Sequence, residues 1–127
     1  MARRTYQAKS ASASGPYSHA VDAGDFVYFS GQTAMNSIAE DKKASNIGDQ
    51  TKLCFEHLFN ALEAAGLTPD DVVKVNVFLT DMKHFAEMNE IYATMFSEPY
   101  PARTCVAVLG LPLGADVEIE MIAKRTN

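Results

Sequence analysis

Arg103 stands at the head of an apolar, β-forming run, Pro101-Ala102-Arg103-Thr104-Cys105-Val106-Ala107-Val108. A later run, Val117-Glu118-Ile119-Glu120-Met121-Ile122, carries two carboxylates. A guanidinium is permanently charged and presents a rigid fork of donors, so one set against apolar strands needs a partner. Side chains two apart on a strand share a face, which groups Arg103 with Cys105 and Glu118 with Glu120. If the two runs pair across the turn Gly110-Leu111-Pro112-Leu113-Gly114, the arginine and the carboxylates share one neighbourhood. Arg103 is then completed either by Glu118 or Glu120, as a structural ion pair, or by the carboxylate of a ligand. Spacing alone leaves both open and leans to the structural pair.

The other chemistry-bearing residues are less pointed. A nucleophilic Cys105 would need a nearby base or cation to form its thiolate, and no histidine lies close in sequence; a free cysteine is often a small core residue. His19, His57 and His84 share no metal or triad spacing, and His57 and His84 read as packed or solvated helix residues. Met82, Met88 and Met95 fall at core helical spacing. Tyr17, after Gly15-Pro16, and Ser30, before Gly31, set hydroxyls beside glycines, where a backbone can approach a ligand closely. Ordinary turn chemistry is the alternative. No CxxC, HExxH or His/Cys cluster suggests a metal.

The elements that must position these residues follow from periodicity. Tyr17 to Val21 and Phe26 to Ser30 are short β-like runs around Asp22-Ala23-Gly24-Asp25, a hairpin signal. Met35 to Ser45 reads as a loop or weak hairpin. Ile47, Thr51, Cys54, Leu58, Leu62 and Ala65 recur at helical spacing, with Asn46 placed to cap the start and Gly66 just past the end. Val73, Val75, Val77 and Leu79 alternate with Lys74 and Asn76, as on a strand with one buried face. Asp81 caps a second helix with the stripe Phe85, Met88, Tyr92 and Met95, ended by Pro99 and Pro101. Two strands close the chain, near Arg103–Leu109 and Val117–Lys124. The expected order is β-β-α-β-α-β-β, an α+β fold with both helices on one face of a mainly antiparallel or mixed sheet. An apolar second face of that sheet is most simply buried by oligomerisation.

Composition narrows the function classes. The 127 residues suit one domain, and 47% hydrophobic with 21% charged residues is ordinary for a globular protein. The net charge of −5 and the absence of a basic stripe disfavour nucleic acid as a partner. No run approaches the roughly 20 apolar residues of a membrane span. The N-terminal residues lack the apolar core of a secretory signal, and two cysteines make no disulfide framework, so a cytoplasmic protein is expected.

Taken together, Ser14-Gly15-Pro16-Tyr17-Ser18, Phe29-Ser30-Gly31-Gln32, Glu63-Ala64-Ala65-Gly66-Leu67, Val72-Val73-Lys74-Val75 and the stretch from Pro101-Ala102-Arg103-Thr104-Cys105 through Leu111-Pro112 to Val117-Glu118-Ile119-Glu120 resemble the RidA (YjgF-like) family of enamine/imine deaminases. The resemblance spans nearly the whole chain in order. It implies a single domain over residues 1–127 with a chorismate-mutase-like fold. It also implies a homotrimer whose sheets form a central barrel, with ligand sites between subunits. The implied reaction is hydrolysis of reactive 2-enamine/2-imine acids, such as 2-aminoacrylate/2-iminopropanoate and 2-iminobutanoate, to 2-keto acids and ammonia. By that resemblance Arg103 grips the substrate carboxylate and Glu118 orients the attacking water. Backbone groups at Cys105 help hold the substrate nitrogen and the water, while Tyr17, Ser30, Gly31 and Asn89 line the pocket. No metal or organic cofactor is required, because an imine carbon is already electrophilic. A trimer that binds 2-keto acids or protects proteins without turnover is the alternative, and an RNA-cleaving translation inhibitor is a weaker one. The chain departs from the family pattern after Gln32, at Thr33-Ala34-Met35-Asn36-Ser37 and Glu40-Asp41-Lys42-Lys43, a segment near the cleft that bears on the preferred substrate side chain.

Overall fold

The helical stripe from Ile47 to Leu62 becomes the buried side of helix α1 (Ile47–Ala64) in the computed structural model of the protein, which describes residues 2–39 and 46–126. Asn46 caps α1, its side chain accepting from the Asp49 amide, and Gly66 takes the left-handed conformation (φ 76°) just past the helix end. The strands are β1 (Arg4–Tyr6), β2 (Ala20–Asp22), β3 (Phe26–Gln32), β4 (Val72–Leu79), β5 (Ala102–Ala107) and β6 (Val117–Lys124). Helix α2 spans Phe85–Tyr92. A turn capped by Asp81, which accepts from the Lys83 amide at 2.8 Å, leads into it. Part of the expected 35–45 loop, residues 40–45, lies outside the described residues; Ala34–Asn36 before it form a single 3-10 turn.

One six-stranded sheet runs in the order β1-β2-β3-β6-β4-β5, antiparallel except for the parallel pair β4–β5. The α+β class and the two helices are as expected. Four details differ. β1 adds a strand at the edge, pairing with β2, that three residues could not signal. The run from Tyr17 becomes a strand only at Ala20. The last two strands do not pair with each other. The chain passes from β4 through α2 to β5, and such a crossover brings β5 back parallel on the outer side of β4. The segment through Pro112–Gly114 then returns the chain across β4, so that β6 inserts between β3 and β4. α2 also ends at Tyr92, well before Pro99, in a turn where Met95 donates its amide to the Tyr92 carbonyl.

Strict alternation divides the sheet. Val75, Val77 and Leu79 of β4, with Val117, Ile119, Met121 and Ala123 of β6, point to the buried side. There they meet Cys54, Phe55, Leu58 and Leu62 of α1 and Met88 of α2 in one core. Each fully buried Leu or Phe side chain contributes about 1.5–3 kcal/mol, so this face dominates the stability of the fold. Phe55, Phe59, Tyr92 and Phe96 stack edge to face between the helices. No helix among the described residues is long and apolar enough to cross a membrane. Among the described residues no helix covers the other side of the sheet. Phe26, Tyr28 and Val106 are exposed on it, among Asn76, Phe78, Glu118 and Glu120.

At the far edge, Arg125 bonds the Asp22 carboxylate at 2.7 Å, Tyr6 at 3.1 Å and the Ala65 carbonyl at 3.0 Å. Hydrogen bonds from the Gly24 amide, Arg125 and Tyr6 hold the Asp22 pKa down to about 2.

Candidate active site

Register decides what Arg103 can touch. Arg103 lies level with Val75 and Cys105 level with Val77, so both point to the helix-covered side at the edge of the sheet. Glu118 lies level with Phe78 and Glu120 level with Asn76, on the uncovered side. The expected meeting of Arg103 with the carboxylates therefore does not occur within the chain: β4 separates the two strands and the side chains leave opposite faces. The expectation fails because it assumed a local hairpin.

Arg103 is half-buried, and its surroundings are neutral. Nη1 donates to Asn89 Oδ1 at 2.6 Å, and the guanidinium lies 4.6 Å from the Tyr92 ring centre and 5.6 Å from that of Phe85. All three partners come from α2. A cation over an aromatic face gains about 0.5–2 kcal/mol depending on desolvation, which orients the group without neutralising it. Among the described residues no carboxylate stands within salt-bridge distance of Arg103; the ion pair present is Arg125–Asp22. Arg103, Asn89 and Tyr92, with Ala93, Tyr100 and Pro101, frame an open hollow of about 420 Å³.

A second hollow, about 320 Å³, opens on the other side of the sheet. Tyr17, Ser30, Gly31 and Glu118 line it together, as do Glu120, Thr33 and Asn36. The β3–β6 register slips between Phe29 and Gln32, and this irregularity opens the ladder beside Ser30 and Gly31. Ser30 donates to the Ser18 carbonyl at 2.6 Å, which ties β3 to the Tyr17 segment. At Gly31 the space a Cβ would fill is taken by the Glu118 carboxylate, so a larger residue there would have to displace that side chain. Burial first, and then repulsion from Glu120, pushes the Glu118 pKa up. Glu120 accepts from Asn76 Nδ2 at 2.9 Å, which ties it to β4.

The structure thus sorts the residues singled out from sequence into two groups. Tyr17, Ser30, Gly31 and Glu118 come together, and Arg103 with Asn89 forms the other group. Cys105 is half-buried against the core, and desolvation raises its thiol pKa despite the neighbouring Arg103, the opposite of what a nucleophile needs. His57 is fully buried between Ser10 and Ser37, its ring nitrogens 2.6 and 2.8 Å from the two hydroxyl oxygens, and burial lowers its pKa. Thr33 and Asn36 were not singled out as site residues. Tyr92 read as a core stripe residue, yet it also walls the Arg103 hollow.

The family model described as Endoribonuclease L-PSP matches residues 7–125. The chain belongs to the RidA/YjgF family. Protein HMF1 of Saccharomyces cerevisiae is 44% identical over 118 residues, 91% of this chain and 88% of that protein. A protein of Dermatophagoides farinae named 2-iminobutanoate/2-iminopropanoate deaminase is 41% identical over 108 residues, 85% of this chain and 84% of that protein. Among solved structures, E. coli TdcF with bound serine superposes with a TM-score of 0.87 at 37% identity, covering 97% of this chain and 99% of that one. The six-stranded mixed sheet with two helices is the fold of these RidA/YjgF structures. The family's members carry different names, so membership narrows the chemistry without choosing the reaction.

Proposed function

We propose that this chain is a 2-iminobutanoate/2-iminopropanoate deaminase, hydrolysing 2-enamine/2-imine acids to 2-keto acids and ammonia as a homotrimer of single-domain subunits. The observation that carries the reading is Arg103: a half-buried guanidinium, held by Asn89 and Tyr92, with no carboxylate of its own chain in reach among the described residues. A charge so placed recruits its counter-ion from outside, and a 2-imino acid brings a carboxylate that fits a bidentate fork. The relative named as an imine deaminase and the serine carried by TdcF support a ligand of this class.

The two hollows lie on opposite faces of one sheet, so the site needs a second copy. A neighbouring subunit laid on the uncovered face would bury Phe26, Tyr28 and Val106 and bring an Arg103 edge to a Glu118 hollow. With the carboxylate on Arg103, the imine carbon faces Glu118. Water adds to that carbon while Glu118 takes one proton and passes it to nitrogen, giving a carbinolamine; Glu118 then relays the carbinolamine hydroxyl proton to nitrogen as the C=O forms, the C–N bond breaks and ammonia leaves. A carboxyl with a raised pKa exchanges protons more readily near neutrality, which suits this shuttle. Tyr17 and Ser30 offer hydroxyls to the reacting groups. Backbone groups of Cys105, on edge strand β5, hold the nitrogen and the water, and its protonated thiol takes no part.

The test generates imine with a pyridoxal-phosphate-dependent dehydratase and follows 2-keto acid release. Wild type is expected to accelerate release over buffer and Arg103→Ala to abolish the gain; a wild-type rate equal to that of buffer overturns the reading. In that case calorimetric binding of 2-oxobutanoate would leave a non-catalytic binding trimer in its place. RNA cleavage, which the family model's description names, is opposed by the net charge of −5.

A further inference from the structure

Arg103 and Asn89 give the Arg103 hollow its polar groups, and the rest of its lining is Tyr92, Ala93, Tyr100 and Pro101, with no charge among them. The other aromatic rings near this edge are already engaged: Phe55, Phe59, Tyr92 and Phe96 contact one another. Tyr100 stands apart. It is 48% exposed, and among the described residues its side chain makes no ring contact and no hydrogen bond. Pro99 and Pro101 flank it. A proline fixes its own φ and confines the preceding residue to extended backbone, so this ring is carried on a stiff segment. Ala93 offers only a methyl to the same hollow, which stays open at about 420 Å³. That volume is in the range of pockets that hold small molecules, and the ethyl group of 2-iminobutanoate would leave much of it to water.

We infer that Tyr100, with Ala93 and Pro101, is the specificity-determining wall of the site and receives a bulky apolar substrate side chain, so that 2-imino acids carrying one are favoured over 2-iminobutanoate. The inference rests on the deaminase reading and adds the substrate class to it. The imine carbon of such an acid bears three groups: the carboxylate, the nitrogen and the side chain. With the carboxylate on Arg103 and the carbon turned to Glu118, the side chain lies along the uncharged wall of the Arg103 hollow. A large apolar group there covers the open Tyr100 ring and displaces water from it. An acidic side chain gains nothing in its place. Among the described residues lining the two hollows Arg103 is the sole cation, already taken by the carboxylate, and Glu118 and Glu120 repel a second anion.

A broad-specificity L-amino-acid oxidase, with catalase present, generates the imines of phenylalanine and 2-aminobutyrate, which share the carboxylate and differ in the side chain. Wild type is expected to show a kcat/KM on the phenylalanine-derived imine about twofold to tenfold above that on 2-iminobutanoate, the worth of one aromatic pair. Tyr100→Ala should erase that ratio, and Tyr100→Phe, which keeps the ring, should retain it. Thermal melting checks that both variants fold, as expected for a side chain this exposed. A ratio that Tyr100→Ala leaves unchanged, or a wild-type preference for 2-iminobutanoate, overturns the subsite while leaving the deaminase intact. Failure to accelerate either imine over buffer overturns the deaminase reading and the subsite with it.

Discussion

The two hollows are built by opposite strategies. Around Arg103 a fixed charge is oriented by neutral partners, an amide at 2.6 Å and an aromatic face at 4.6 Å, and its counter-charge is left open. Around Glu118 a titratable charge is crowded by burial and by a second carboxylate, so its proton affinity rises. In the proposed reaction the first binds an anion and the second moves a proton. Within one chain β4 stands between the two regions, and their side chains leave opposite faces of the sheet.

The comparison breaks first under subunit mixing. On the proposed trimeric arrangement, the Arg103→Ala and Glu118→Gln proteins are each expected to be inactive. Unfolding them together and refolding should restore activity to about a quarter of wild type, because randomly mixed heterologous contacts unite an intact arginine edge with an intact glutamate hollow that often. No recovery would place both residues in one subunit's site and sink the two-copy arrangement. Next, Gly31→Ala drives a methyl into the space of the Glu118 carboxylate. It should lower kcat at least tenfold and cost roughly 1–3 kcal/mol of stability by overpacking, measurable by chemical denaturation.

A subtler test separates the two regions by pH. Since Glu118 is pushed above the ordinary carboxylate range partly by Glu120, the acid limb of the kcat profile should lie above that range. Glu120→Gln removes the repelling charge, so the limb should move to lower pH; Glu118→Gln should remove it. A limb indifferent to Glu120 would mean another group titrates. The smallest effect is expected at Asn89: Asn89→Ala frees the guanidinium from one hydrogen bond, raising KM about threefold to tenfold while leaving the position of the acid limb unchanged.

Much of this molecule was legible in the chain because its cues are local. Asn46 and Gly66 bracket α1, Asp81 opens the turn into α2, and the alternations from Val75 and Val117 read directly as half-buried strands, although Val73, expected on the buried face, is exposed where the register slips between Val72 and Lys74. Tyr17, Ser30, Gly31 and Glu118 of one hollow, and Arg103 and Asn89 of the other, could also be named from sequence, by resemblance more than by spacing. Their grouping could not. Which strand pairs with β5 depends on the crossover through α2, and alternation says which residues share a face without saying which strand lies between them. Thr33 escaped notice because a turn residue at the wall of a hollow has no sequence signature, and Tyr92 because a wall of a hollow and a core stripe have the same spacing.

β6 pairs with both β3 and β4, yet it comes last of all the strands. During synthesis the β1–β2–β3 unit and the β4–β5 pair emerge with no ladder joining them, and only the final strand bridges the two. Folding must therefore wait for it, as the long sequence separations of the β3–β6 pairs require. Glu118 rides on that same strand, so an interrupted chain can expose Arg103 but cannot complete the sheet that carries the base.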